Sequence, residues 1–134
     1  MNKLTGIITK IQKSGAIMLV DIDVNEHGFS ALLIESVNQP QWLQTGNSVD
    51  MVFKETEVSL AKNLSGQISM RNRMISKVAG IERGELLSVI TLQFKEYTIN
   101  SAITTRSVDS LQITIGDEIE ALVKANEISL MKKQ

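Results

Sequence analysis

The chain is written twice, and a tandem repeat limits the fold more than any single motif does, because each half must build the same small unit. "TGNSVDMVFKETEVSL", from Thr45 to Leu60, overlays "IGDEIEALVKANEISL", from Ile115 to Leu130, with Gly46 on Gly116, Lys54 on Lys124, Glu57 on Glu127 and Ser59 on Ser129, all 70 positions apart. "NKLTGIITKI" overlays "NRMISKVAGI" at the same offset, Asn2 on Asn72 and Ile11 on Ile81. "FSALLIESV" overlays "NSAITTRSV" at an offset of 71, which sets Ala31 on Ala102, Leu33 on Thr104 and Ser36 on Ser107. The copies are expected to span residues 1–62 and 68–134, joined by a connection around "AKNLSGQISM". A unit of roughly 65 residues buries only about 60% of its unfolded surface. The two units are therefore expected to share a core or to oligomerise.

Within each copy the pattern is that of β-structure. "AIMLVDIDV" and "LLSVITLQF" are β-branched and apolar runs that end in alternation, and the turn signals "NEHG" and "KE" lead into "FSALLI" and "YTINSAIT", so each copy predicts a hairpin. "ESVNQPQWLQTG" and "RSVDSLQITIG" each open on serine and close on glycine, the pattern of one or two helical turns with a serine N-cap. "VDMVFKETEVSL" and "IEALVKANEISL" read as a final strand. Five short strands and one helical turn per copy predict an all-β protein made of two tandem, OB-like five-stranded small barrels.

Composition narrows the function. The chain has 134 residues, 43% hydrophobic and 22% charged, with a formal net charge of −1 and scattered lysines and arginines. That is a globular balance without the field that gathers polyanions. Aromatic residues number five in all, too few for the stacking platforms of a single-strand nucleic-acid binder. There is no cysteine, hence no thiol nucleophile or soft-metal site. No run has the length of a signal h-region or of a membrane span, and a cytoplasmic location is expected. The single histidine, His27, makes neither a triad nor a zinc site. No catalytic set emerges, and the chain is not expected to be an enzyme.

Four segments of this sequence carry a family resemblance. "SMRNRM" resembles the Ser-Ala-Arg-Asn signature of the molybdenum-binding (Mop, or molbindin) domain, with Met70 in place of alanine, and the similarity continues through "GIERGELLSVI", "AITTRS" and "VKANEISL". The resemblance implies OB-like barrels that exchange strands and assemble, here as a trimer of tandem chains, around molybdate or tungstate bound at subunit interfaces. It also implies a role in molybdenum storage and homeostasis, or molybdate sensing through a partner. The residues matching the family's binding positions are Ser69, Arg71, Thr104, Ser107 and Lys124, with the backbone N–H groups of Met70 and Ala125 completing the shell. The first copy begins at Met1-Asn2 without counterparts of Ser69 and Arg71, has Leu33 where the alignment sets Thr104, and keeps only Ser36 and Lys54.

Physical chemistry supports that set. A tetrahedral dianion loses a large hydration energy when enclosed, so its site must return hydrogen bonds from several directions together with about two positive charges. Arg71 and Lys124 supply the charges. Ser69, two positions from Arg71, would share its face on a strand, and Thr104 and Ser107 flank the entry to the helical turn, where free N–H groups favour an anion. Each residue also has a plainer reading. Arg71 alone is a solvated strand residue, Lys54 and Lys124 could brace two barrels, and Ser36 and Ser107 could be helix caps. His27 reads as a solvated turn residue, Trp42 as a core or interface anchor, Met70 and Met74 as packed strand residues, and "MKKQ" as a frayed terminus. The alternative from a different class is an OB-like nucleic-acid module.

Overall fold

Alternation in the sequence becomes two copies of one meander. The computed structural model describes residues 1–34 and 38–133. In the first repeat, β1 (Asn2–Ser14), β2 (Ile17–Val24) and β3 (His27–Leu33) run antiparallel in sequence order. They are followed by β4 (Ser48–Phe53), a 3-10 turn at Glu55–Glu57, and β5 (Ser59–Ala61). The second repeat gives β6 (Asn72–Glu82), β7 (Leu87–Phe94), β8 (Tyr97–Thr104), α1 (Thr105–Ser110), β9 (Glu118–Val123), a 3-10 turn at Ala125–Glu127, and β10 (Ser129–Lys132). The all-β expectation of two OB-like five-stranded units is met. The β2–β3 hairpin closes through Asn25 and Glu26, both at positive φ, the primed geometry that matches strand twist.

The segment read as one final strand is two. Lys54 and Lys124 break it, each leading into a 3-10 turn, and the residues beyond the break leave their own repeat. The sheet orders are β10-β4-β1-β2-β3 and β5-β9-β6-β7-β8, so each repeat lends its last strand to the other. β10 pairs Ser129–Lys132 with Val52–Val49 of β4, and β5 pairs Ser59–Ala61 with Leu122–Glu120 of β9. Within "MKKQ", Met131 and Lys132 are not frayed but are ladder residues opposite Asp50 and Val49, and Gln134 lies outside the described residues.

Exchange fuses the two cores into one. Fully buried residues at equivalent positions, Leu4 and Met74, Val20 and Ile90, Ile22 and Leu92, Val49 and Ile119, belong to one apolar cluster that draws on both sheets. Volumes trade across the repeat: Met51 and Phe53 on β4 become Ala121 and Val123 on β9. Trp42 packs half-buried against this core, as expected of an anchor. A bulge recurs 70 residues apart, between Ile8 and Lys10 and between Val78 and Gly80, bending both long strands at the same point.

Two asparagines cover the outer edges of β3 and β8, the last strands of their sheets. Asn2 accepts from Asn100 N–H and donates to Asn100 C=O, both at 2.8 Å. Asn72 does the same for Ser30, at 2.8 and 2.9 Å, and donates further to Val123 C=O at 3.1 Å. An exposed strand edge invites wrong pairing, and here a side-chain amide replaces the missing neighbour. His27 also departs from expectation. It opens β3 instead of lying in the turn, packs half-buried and inclined against Phe29 and Phe94 with centroids 4.9 and 5.3 Å away, and donates from Nε2 to Arg73 C=O at 2.7 Å.

Candidate functional site

The two arginines of "RNR" have different fates. Arg73 lies on β6 and forms a two-pronged pair with Glu120 across the strand, Nε to Oε2 at 2.5 Å and Nη2 to Oε1 at 2.9 Å. Arg71 precedes the strand, because β6 begins at Asn72 and residues 69–71 form its lead-in. The expectation that Ser69 and Arg71 share a strand face is therefore corrected. Asn72 sits buried between them and Arg73, so the ladder starts at the residue whose side chain the core holds.

Lys124 reaches the same end of the sheet as Arg71 through register. Asn72 and Val123 are the last paired residues of β6 and β9, so one step outward the strands deliver Arg71 and Lys124 to the same open end of the sheet, both exposed. Ion pairs among the described residues join Met1 to Glu55, Lys3 to Asp50, Lys62 to Asp117, Arg73 to Glu120 and Arg83 to Asp109. Neither Arg71 nor Lys124 is in that set. Two cations delivered to one end of a sheet raise the local positive potential there, which favours an anion. Ala125 and Asn126 open the 3-10 turn, so their N–H groups precede its first internal hydrogen bond. Met70 is half-buried and Ser69 exposed in the lead-in.

Thr104 and Ser107 sit together, elsewhere. Thr104 is the N-cap of α1: its Oγ1 accepts from Ser107 N–H at 3.1 Å and lies 2.8 Å from Ser107 Oγ. The cap is thus the threonine, and Ser107 lies inside the helix. A hydroxyl on the residue before the first helical turn reaches the free N–H three residues on, which "TTRS" offers at Thr104 better than at Ser107. Thr104 pairs with Leu87 at the far end of β8, the end of the sheet opposite Asn72 and Val123. Within one chain the seven predicted residues form two groups: Ser69, Met70, Arg71, Lys124 and Ala125 at one end, Thr104 and Ser107 at the other.

Each group faces the other repeat. The 3-10 turn at Glu55–Glu57 packs on β8, and the one at Ala125–Glu127 packs on β3. Thr56 and Ser59 share a groove of about 390 Å³ with Ser107 and Ser110, and their counterparts Asn126 and Ser129 share the equivalent groove of about 420 Å³ with Leu32, Leu33 and Ile34. The 71-residue offset does not survive in these strands. Val20 pairs with Ala31 and Ile90 with Ser101, which keeps the offset at 70 and makes Ile34, not Leu33, the counterpart of Thr104. The position remains apolar in the first repeat, and Ser36 lies outside the described residues. Glu55 stands where the second repeat has Ala125. This difference, readable from the alignment, puts a carboxylate beside Lys54 and weakens that end for an anion.

The Arg73–Glu120 pair carries a pH signature. Hydrogen bonding to the Arg73 guanidinium is the main cause that holds the Glu120 carboxyl below its ordinary value. A lowered folded-state value stabilises the fold above the unfolded glutamate value, and that contribution is lost as pH falls through the lowered one. Glu120→Gln is expected to reduce the urea midpoint at pH 7, and its gap from the parent should close as the medium is acidified below the glutamate range. A gap constant from pH 7 to pH 3 would show the pair to be inert.

Comparison with known proteins follows the same two-repeat geometry. A TOBE domain matches residues 68–130, the second repeat from the arginine lead-in to the start of β10. The structure superposes on the cytoplasmic molybdate-binding protein ModG, in a molybdate-bound crystal form, with a TM-score of 0.92 at 25% identity, covering 98% of this chain and 96% of that one. The second repeat is a TOBE domain, and the tandem arrangement of the two repeats is that of ModG. Over 78 residues, 58% of its length, it is 41% identical to the molybdenum import ATP-binding protein ModC of Brucella abortus, and equally to that of Brucella melitensis. The matched part spans 22% of those ModC proteins. In this chain Phe29, Phe53 and Phe94 are buried and Trp42 and Tyr97 half-buried, so no aromatic side chain stands exposed as a base-stacking platform. Among the described residues no cluster of histidine and carboxylate side chains could hold a metal cation, and no helix is long and apolar enough to cross a membrane.

Proposed function

We propose that this chain binds molybdate or tungstate and serves molybdenum storage and homeostasis. The observation that carries the reading is the delivery of Arg71 and Lys124, both outside any ion pair among the described residues, to one open end of the second sheet. The likeness to ModG supports the same oxyanion class. Ser69 and the N–H groups of Met70 and Ala125 are the nearest further donors along the chain to those cations. Thr104 and Ser107, at the other end of the sheet, complete the shell when a second copy presents its α1 end to this one. The assembly proposed is a trimer of tandem chains, each interface pairing a cationic end with a hydroxyl end. The role is binding, without bond making.

Isothermal titration with molybdate, tungstate and sulfate tests the reading. Molybdate and tungstate are expected to bind tightly and sulfate at least about tenfold more weakly, a gap of about 1.4 kcal/mol, because its smaller tetrahedron leaves donors out of reach. Equal affinity for all three would reduce the site to a generic anion trap. Native mass spectrometry with added molybdate should give a trimer, and a monomer at saturating ligand would refute the shared site.

A further inference from the structure

We infer that Asn72 is a positioning residue for the oxyanion site, acting through the backbone on Arg71 and Lys124. The inference rests on the reading above. Asn72 is 0% exposed and uses its amide on three backbone groups from two repeats: Ser30 N–H, Ser30 C=O and Val123 C=O. Ser30 lies on the outermost strand of the first sheet, so its outward N–H and C=O have no strand to pair with and take the amide instead. Val123 is the residue before Lys124, and Asn72 is the residue after Arg71. One side chain therefore pins the last paired residue on both strands before each cation departs. From that point Arg71 and Lys124 are each one peptide away, and their separation is set by how firmly residues 72 and 123 are held.

The repeat supplies a control. Asn2 occupies the equivalent position and makes the same two-point contact with Asn100, yet Met1 stands at the position of Arg71 and Glu55 at that of Ala125. Loss of either asparagine leaves buried backbone groups without partners, so both variants should lose stability. Only the loss of Asn72 should loosen the cation pair.

The experiment measures molybdate affinity by titration calorimetry, and stability by urea unfolding, for the parent, Asn72→Ala and Asn2→Ala. Both variants are expected to unfold at lower urea, while the dissociation constant rises about tenfold or more in Asn72→Ala and stays within about twofold of the parent in Asn2→Ala. An unchanged constant in Asn72→Ala, or an equal rise in both variants, would overturn the inference and leave Asn72 a structural edge cover. If Asn72→Ala does not fold, Asn72→Ser, whose hydroxyl can keep one of the three contacts, is expected to show a smaller rise that Asn2→Ser lacks, and equal constants in these two would overturn it. A parent that fails to bind molybdate would instead defeat the underlying reading.

Discussion

Arg71→Ala is expected to weaken molybdate binding by roughly 10- to 150-fold, the equivalent of about 1.5–3 kcal/mol for a hydrogen bond to a charged group. The argument is one of charge. A dianion held by Arg71 and Lys124 loses half of its counter-charge with the guanidinium, and Arg73 cannot substitute because Glu120 occupies both prongs of its fork. Stability should barely change, since Arg71 is exposed and precedes the ladder. Titration calorimetry beside a thermal melt separates the two quantities. Parent-like affinity in this variant would remove Arg71 from the site, and Arg73→Ala provides the contrast, with its larger effect expected in the melt.

Ending the chain at Ile128 should have the largest effect on folding. That deletion removes β10, whose four residues close the outer edge of β4, and takes away Leu130, which packs on the shared core. Loss of a partly buried leucine costs about 1–2 kcal/mol, and uncovering the β4 edge adds about 1 kcal/mol for each net ladder hydrogen bond. The sum, about 3–5 kcal/mol, is a large share of the 5–15 kcal/mol that stabilises an ordinary domain. A drop of ten degrees or more in the melting midpoint is expected, with the first repeat destabilised although the cut lies in the second. An unaltered melt would mean that the exchanged strand contributes nothing to the sheet it joins.

Much of the architecture could be read from residues alone. The 70-residue repeat, the alternating runs of β2 and β7, the short hairpin turns and the glycines at 46 and 116, both at positive φ, are local signals, and local signals express backbone preference directly. Arg71 and Lys124 were named in sequence as the two cations, but that their strand ends lie together rests on the β6–β9 register, with Asn72 opposite Val123. Other features depend on partners distant in sequence. Whether Lys54 and Lys124 continue a strand or break it depends on which sheet offers an open edge beyond them, and the last strand of each repeat crosses to the other repeat's sheet. His27 looks like a turn residue until Phe29, Phe94 and the Arg73 carbonyl surround it.

The candidate site divides along the same line. Its residue types were set in sequence: two cations, three hydroxyls and two backbone donors. Tertiary structure alone decided that Thr104 and Ser107 stand at the opposite end of the sheet from Arg71 and that Ile34 is the counterpart of Thr104 in the first repeat. The physical reason is that an antiparallel ladder advances about 3.3 Å per residue. A pattern along the chain names the donors, and only the register across strands determines which of them meet.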